Sequence, residues 1–171
     1  MSFEIKKCSK GCCQYKVLPY TFPINWISEQ NWNYSISQTK IKKAGAFIHD
    51  SINRKILLVQ SRGKYWGPPK GTINRDESII DAAKREVKEE TGIDFIENDI
   101  KDSFMIKNNI VYFVLDIKER DVFPQEIIDN DANGIGYFCI DCLKEMIDNK
   151  EISITFHCKL LIKKILNIDL N

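Results

Sequence analysis

The chain has 171 residues, of which 43% are hydrophobic, 29% charged and 11% aromatic, the composition of one folded domain rather than a disordered or collagen-like chain. Its 25 Lys and Arg against 24 Asp and Glu leave a net charge of +1, so no global field recruits nucleic acid or an anionic membrane, and a polyanion would have to be held by a local patch. No apolar run approaches the ~20 residues of a membrane span, and residues 1–10 carry charges where a secretory signal would be apolar. The expectation is a cytoplasmic chain with no membrane partner.

Three segments follow one another without repeats or a Gly/Ser linker: an extension over residues 1–43, a core over 44–143 and a terminal helical segment over 144–171. The extension holds Lys6, Lys7, Lys10, Lys16, Lys40, Lys42 and Lys43 against Glu4 and Glu29, interleaved with Tyr15, Tyr20, Phe22, Trp26, Trp32 and Tyr34. Packing of these aromatics on the core is the favoured reading; a face that stacks bases and neutralises phosphates is the alternative.

In the core, apolar runs predict strands over residues 44–48 and 56–59, joined by the polar turn Asp50-Ser51-Ile52-Asn53. Further strand signals lie over 104–106 and 110–117, with the turn pair Asn108-Asn109 between them, and over 135–140. One helix is inserted among these strands. Ser78 with Asp81 marks its start, Ile80, Ala83 and Val87 form its apolar stripe, and Gly92 stops it. Near the C-terminus, Ile154, Cys158, Leu161, Ile162, Ile165 and Leu166 recur at helical spacing, which predicts a helix covering one face of a mixed sheet.

The inserted helix concentrates charge: Arg85, Glu86, Glu89 and Glu90, with Glu77 just ahead of it. Residues three and four apart share a helical face, so the three glutamates are expected to project together, away from the stripe. Three carboxylates on one surface repel unless a cation sits among them, and oxygen donors in that number favour Mg²⁺ or Mn²⁺ over zinc. Arg85 is expected to pair with Glu77. The loop Trp66-Gly67-Pro68-Pro69-Lys70-Gly71 leads into this region; Gly71 permits close backbone approach, and Lys70 is a candidate to meet a phosphate oxygen, an ordinary loop lysine being the alternative reading.

Gly71, Glu77, Arg85, Glu86, Val87, Glu89, Glu90, Gly92 and Ile93 together match the pattern G-x5-E-x7-R-E-U-x-E-E-x-G-U, U being aliphatic. Seven fixed positions at about 6% each make a chance match on the order of 10⁻⁹ per starting position. The chain thus resembles the Nudix hydrolases. The resemblance implies an α/β fold, an α/β/α sandwich with a mixed sheet, and hydrolysis of a nucleoside diphosphate linked to another moiety. It also implies Mg²⁺ or Mn²⁺ held by Glu86, Glu89, Glu90 and the Gly71 carbonyl, one glutamate doubling as general base, with Glu77 and Arg85 bracing the loop.

The stretch from Trp66 to Ser78 is similar to the decapping branch of that family, including enzymes of large DNA viruses, whose members read W-G-F-P-K-G-K-I-x-x-x-E-S; Pro68 stands in place of the Phe. Residues 129–138 resemble the branch's E-I-x-x-I-E-W-F, with Asp131 at the position of a further catalytic carboxylate and Glu126 and Asp129 as competitors. The implied substrate is capped RNA, and the implied site the cytoplasm, that of the host for a viral chain. Tyr65, Trp66, Tyr112 and Trp26 are candidates to hold the cationic methylated guanine. The rivals are a diadenosine polyphosphate or diphosphoinositol polyphosphate hydrolase, and a Nudix domain that binds nucleotide or RNA without cleaving it.

Six cysteines without a secretory signal read as reduced thiols or metal ligands rather than a disulfide framework. Cys139 and Cys142 form a C-x-x-C, and Cys8, Cys12 and Cys13 cluster at the other end, so a composite zinc site can be drawn. Because nothing in the sequence brings the two groups together, the favoured reading is packing. His49 and His157 are read as turn, surface or packing residues.

Overall fold

The computed structural model describes residues 3–18, 41–61, 64–107, 109–123 and 132–170. Among them the elements run β1 (Glu4–Lys7), β2 (Gln14–Val17), β3 (Lys43–Asp50), β4 (Lys55–Ser61), β5 (Tyr65–Gly67), β6 (Lys70–Thr72), α1 (Ile79–Thr91), β7 (Ile100–Ile106), β8 (Ile110–Asp116), β9 (Ala132–Cys139), α2 (Ile140–Asp148), β10 (Ser153–Ile154) and α3 (Phe156–Leu166). One sheet in the order β1-β2-β9-β4-β3-β8-β7 spans the molecule, with β5 paired to β4, β6 to β3 and β10 to β5. The β3–β8 and β5–β10 pairs are parallel and the others antiparallel, so the sheet is mixed.

Side chains on a strand alternate between faces, and the two faces of this sheet build two separate cores. On one side Phe47, Ile56, Leu58, Tyr112 and Phe138 pack with α2 and α3 through Leu143, Met146, Cys158, Leu161 and Ile162. On the other, Ala44, Ala46, Ile48, Leu57, Val59, Ile135 and Tyr137 pack with α1 through Ala82, Ala83 and Val87. Central strands covered on both faces read as continuous apolar runs, which is why β3 and β4 stood out in sequence. This is the α/β/α sandwich that the Nudix resemblance implied.

The ends of α1 follow their local chemistry. Ser78 caps the first turn, its hydroxyl accepting from the Asp81 N–H at 3.1 Å, and Gly92 closes the last turn in the left-handed region at φ 75°. At the other end of the chain the prediction needs correction. Ile154 lies in β10, beside Trp66 of β5, and the helix begins only after Thr155, whose N–H donates to the Trp66 carbonyl at 2.8 Å. The free parallel edge of β5 captures the two residues before the helix. Helix α2, pairing β5 with β4 and β6 with β3, and the β1–β2 hairpin were not anticipated. Tyr15 of that hairpin sits in the α3-side core, 5.5 Å edge-on to Trp66 and 5.1 Å stacked on Phe138, as the packing reading of the extension expects for that residue; residues 19–40, Trp26 among them, lie outside the described residues.

The β3–β4 turn is organised by a buried carboxylate. Asp50, 1% exposed, accepts from the backbone N–H of Ile52 (3.0 Å), Asn53 (2.9 Å) and Glu119 (2.7 Å) and from the Asn53 amide (2.7 Å). Burial alone would raise its pKa, but these donors outweigh it and hold the carboxyl below the usual carboxylate range. A depressed native value stabilises the fold above the unfolded pKa of about 3.9, and that stabilisation is lost as pH falls through the native value. Asp50→Asn is therefore expected to cost about 1.5–3 kcal/mol in urea denaturation at neutral pH, with the gap to wild type closing toward pH 3.

Candidate active site

Helix α1 rests against β6 through Glu86 and Glu90, and one guanidinium joins the helix to the loop that precedes it. Arg85 Nε and Nη2 donate to the two carboxylate oxygens of Glu77 at 2.8 and 3.0 Å, a bidentate pair. Nη2 also reaches the Thr72 carbonyl at 2.9 Å, and Nη1 reaches Glu86 at 2.8 Å and Glu89 at 3.3 Å. Glu77 closes its own turn by accepting from the Asn74 N–H at 2.9 Å. The Arg85 hydrogen bonds hold the Glu77 carboxyl below its usual range, against the opposing effect of burial. The expected Glu77–Arg85 pair is present, and the same cation lies between Glu86 and Glu89, where like charges would otherwise repel.

Gly71 sits opposite Ala44 in the β3–β6 pairing and faces Glu86 so closely that a Cβ there would fall 2.0 Å from the carboxylate. Only a residue without a side chain fits. Glu90 departs from the expectation that all three glutamates project outward: it is 5% exposed, accepting from the Lys70 backbone N–H at 2.8 Å and from Ser61 Oγ at 3.0 Å. It lies four residues beyond Glu86, on the edge of the face that packs against the sheet, and the β6 backbone covers it. Ser61, at the end of β4, is a partner that no local pattern marks.

This donor set fits a hard divalent cation: a carboxylate lodged against a glycine, a second one beside it, and a buried third whose ionised form is satisfied by a backbone N–H and a hydroxyl. The surrounding charge suits an anionic ligand. Lys107 in the turn after β7, Lys70 of β6 and Lys43 of β3 lie within electrostatic reach of His157 at the start of α3; burial first, and then these three cations, push its pKa down. His157 was read as a turn, surface or packing residue, and nothing in its sequence neighbourhood signals the lysines around it. An open groove of about 300 Å³ lies on the α1 side of the sheet, bordered by Lys16, Arg120, Val122, Ile135 and Tyr137.

The aromatic candidates divide. Tyr65 is 53% exposed at the start of β5 and is free to stack. Trp66 is 2% exposed, enclosed by Tyr15 and by Phe138 at 4.9 Å, and Tyr112 is fully buried beneath α3. These two corrections have one cause: alternation along β5 and β8 turns both rings into the α3-side core, where no base can reach their faces. Asp131, Glu126 and Asp129 lie outside the described residues.

A mixed sheet between helical layers, with a glycine-backed cluster of carboxylates on its first long helix, defines a metal-assisted phosphate-chemistry enzyme of α/β class. The chain belongs to the NUDIX family: the NUDIX domain model matches residues 39–156. It is accordingly a Nudix hydrolase, of a class that cleaves pyrophosphate bonds in nucleotide-linked substrates with divalent metal ions. It is similar to "Putative hydrolase 111R" of Invertebrate iridescent virus 3, 31% identical over 137 residues, 79% of this chain and 77% of that one. It is also similar to the m7GpppN-mRNA hydrolase of Saccharomyces cerevisiae, 37% identical over 94 residues, which make up 52% of this chain but only 10% of the yeast protein. Among solved structures, a MutT from a study of Aliivibrio salmonicida and Vibrio cholerae aligns with a TM-score of 0.54 at 19% identity, covering 74% of this chain and 97% of that one. That likeness bears on the fold.

Gly71→Ala tests the close approach. The added methyl must displace the Glu86 carboxylate, so pyrophosphate hydrolysis is expected to fall by ~10²-fold or more, the scale on which a misplaced catalytic group registers. The melting temperature should stay within a few degrees of wild type. Retained activity would mean that Glu86 works from another position.

Proposed function

We propose that the chain is a decapping hydrolase that cleaves the triphosphate bridge of capped RNA, releasing 7-methylguanosine diphosphate and leaving a 5′-monophosphate end. The observation that carries the hydrolytic part is the complete box with Gly71 closed against Glu86. The capped-RNA part is supported by the run from Trp66 to Ser78, by the similarity to the yeast m7GpppN-mRNA hydrolase and by the lysines around His157.

Glu86, Glu89, Glu90 and the Gly71 carbonyl would hold Mg²⁺ or Mn²⁺, which supplies neutralisation of the bridging phosphates and polarisation of the attacked phosphorus and the attacking water. The remaining work falls to the chain. Arg85 fixes Glu86 and Glu89, and with Glu77 it locks the loop to α1. Glu90 holds the Lys70 backbone, which fixes where the Lys70 ammonium leaves the loop toward a phosphate oxygen. One of these glutamates doubles as general base and takes the proton of the attacking water, with Asp131 as the further carboxylate for that step. Tyr65 offers an exposed ring for the cationic base, and the RNA body follows the lysines of the N-terminal segment and of α3.

Glu89→Gln keeps shape and removes a charge, so kcat should drop at least ~10²-fold with unchanged stability; near-wild-type turnover would remove this face from the chemistry. In the same assay Asp131→Asn should lower kcat and flatten the acidic limb of the pH profile. If Glu126→Gln does so instead, the further carboxylate is Glu126.

Substrate is decided by turnover of capped RNA, cap dinucleotide and diadenosine tetraphosphate at equal concentration with Mg²⁺ or Mn²⁺. Decapping predicts preference for the long RNA, because remote phosphate contacts contribute to transition-state binding, and a steep loss of that preference with salt. Equal or faster cleavage of diadenosine tetraphosphate identifies a dinucleoside polyphosphate hydrolase instead. Tight RNA binding with no turnover identifies a binding domain.

A further inference from the structure

Four cysteine sulfurs from opposite ends of the sequence meet at one point. Cys8, Cys12 and Cys13 lie in the connection between β1 and β2, Cys142 lies in the first turn of α2, and their sulfur atoms are all within 4.8 Å of one another. The sulfur–sulfur contacts are 3.1 Å for Cys12–Cys142, 3.6 Å for Cys8–Cys12 and 4.0 Å for Cys12–Cys13. A tetrahedral ion with Zn–S bonds of about 2.3 Å requires sulfur–sulfur edges of roughly 3.8 Å, within the range these four span. The chain path is shaped for it: the Gly11 N–H donates to the Cys8 carbonyl at 2.9 Å, and Gly11 adopts φ 73°. A Cβ on Gly11 would meet nothing within 4 Å, so the backbone angle and not the space calls for glycine.

Two backbone donors point at the sulfurs: the Cys13 N–H at Cys8 Sγ (3.4 Å) and the Cys139 N–H at Cys13 Sγ (3.0 Å). N–H donors to sulfur favour the thiolate over the thiol, and thiolate is the form a metal binds. Lys10, in the same turn and paired with Glu145 of α2 at 2.8 Å, places a cation next to what would be a site of net negative charge. Three of the four residues are buried and Cys12 is exposed, so all four ligands come from the protein and no position opens on a substrate. Such closure marks a structural rather than a catalytic site. A Cys12–Cys142 disulfide would use two of the sulfurs and leave Cys8 and Cys13 buried with donors aimed at them and no role.

We propose that Cys8, Cys12, Cys13 and Cys142 bind one Zn²⁺ ion that fastens the β1–β2 hairpin to α2. Binding replaces the thiol protons, which are released to solvent. The β1 end of the hairpin has little other hold: all four residues of β1 are exposed, and the hairpin is otherwise held through β2, by its pairing with β9 and by Tyr15 in the core. A two-stranded ribbon of this length contributes little stability of its own. This reverses the reading of the cysteines as packing residues. Cys139, the first cysteine of the C-x-x-C, contributes its N–H and not its sulfur.

The test is elemental analysis of the full chain purified without chelator, with a stoichiometry of about one zinc per chain expected. Cys8→Ser and Cys142→Ser should each lose the metal, Cys139→Ser should keep it, and Glu89→Gln should keep it too, which separates this site from the hydrolytic one. Co²⁺ exchanged into the wild type should give the thiolate charge-transfer bands and intense visible bands of a tetrahedral sulfur site. Should the serine variants fold poorly, the wild type carries the test: a strong chelator should lower its melting temperature, and zinc, not magnesium, should restore it. Zinc-free wild type, a Cys12–Cys142 disulfide in the mass spectrum, or zinc retained in Cys8→Ser and Cys142→Ser would each overturn the proposal.

Discussion

The guanidinium of Arg85 is the interaction on which the site depends. Two unit charges 4 Å apart interact by about 4 kcal/mol at the effective dielectric of a protein surface, so a helix carrying Glu86 and Glu89 side by side against Glu77 would lose stability without a cation between them. Arg85 faces all three and a backbone carbonyl at once, which a lysine, with a point charge and no planar fork, cannot reproduce. The consequence is structural before it is catalytic. The carboxylates can be held close together, and the loop that carries Gly71 is tied to the helix that carries Glu86.

That arrangement presumes a rigid support, which the double-faced sheet supplies. Helix α1 is set by Ala82, Ala83 and Val87 against the apolar residues of β3, β4 and β9, and two alanines allow the helix to approach the strands closely. Glu90 lies on the same side, and its burial follows from that closeness: it is satisfied by the Lys70 N–H and Ser61 because the β4 and β6 ends are drawn up to the helix. The carboxylate nearest the core is therefore held by a backbone amide and a hydroxyl, whereas Glu89 is held by Arg85 at 3.3 Å.

The chain's order of residues disclosed the helix, its caps and its charge pattern because those depend on neighbours within one or two turns. Strands β3, β4, β8 and β9 were legible for a related reason, since a run of four or more apolar residues has few other homes. Three features were not. β5, β6 and β10 are two or three residues long, too short for any periodicity, and exist only because partner edges are available. Trp66 and Tyr112 sat in aromatic-rich surroundings that suited a base, but which way each ring points is set by strand parity, and that parity follows from pairing partners distant in sequence. Cys12 and Cys142 are separated by 130 positions, and no local pattern records that β9 and α2 carry one group to the other.

The ring of Trp66 joins stretches that the sequence holds far apart: Tyr15 from the N-terminal hairpin, Phe138 from β9, and Thr155 through the Trp66 carbonyl. Gly71 follows five positions on. To swing the loop open at this end, the ring would have to leave two aromatic neighbours and the β5–β10 pairing would have to break together. Fluctuations of that kind belong to large cooperative units and not to fraying loops. Backbone amides around Trp66 and in β10 are thus expected to exchange slowly and together, because the tryptophan cannot leave its place without both pairings giving way.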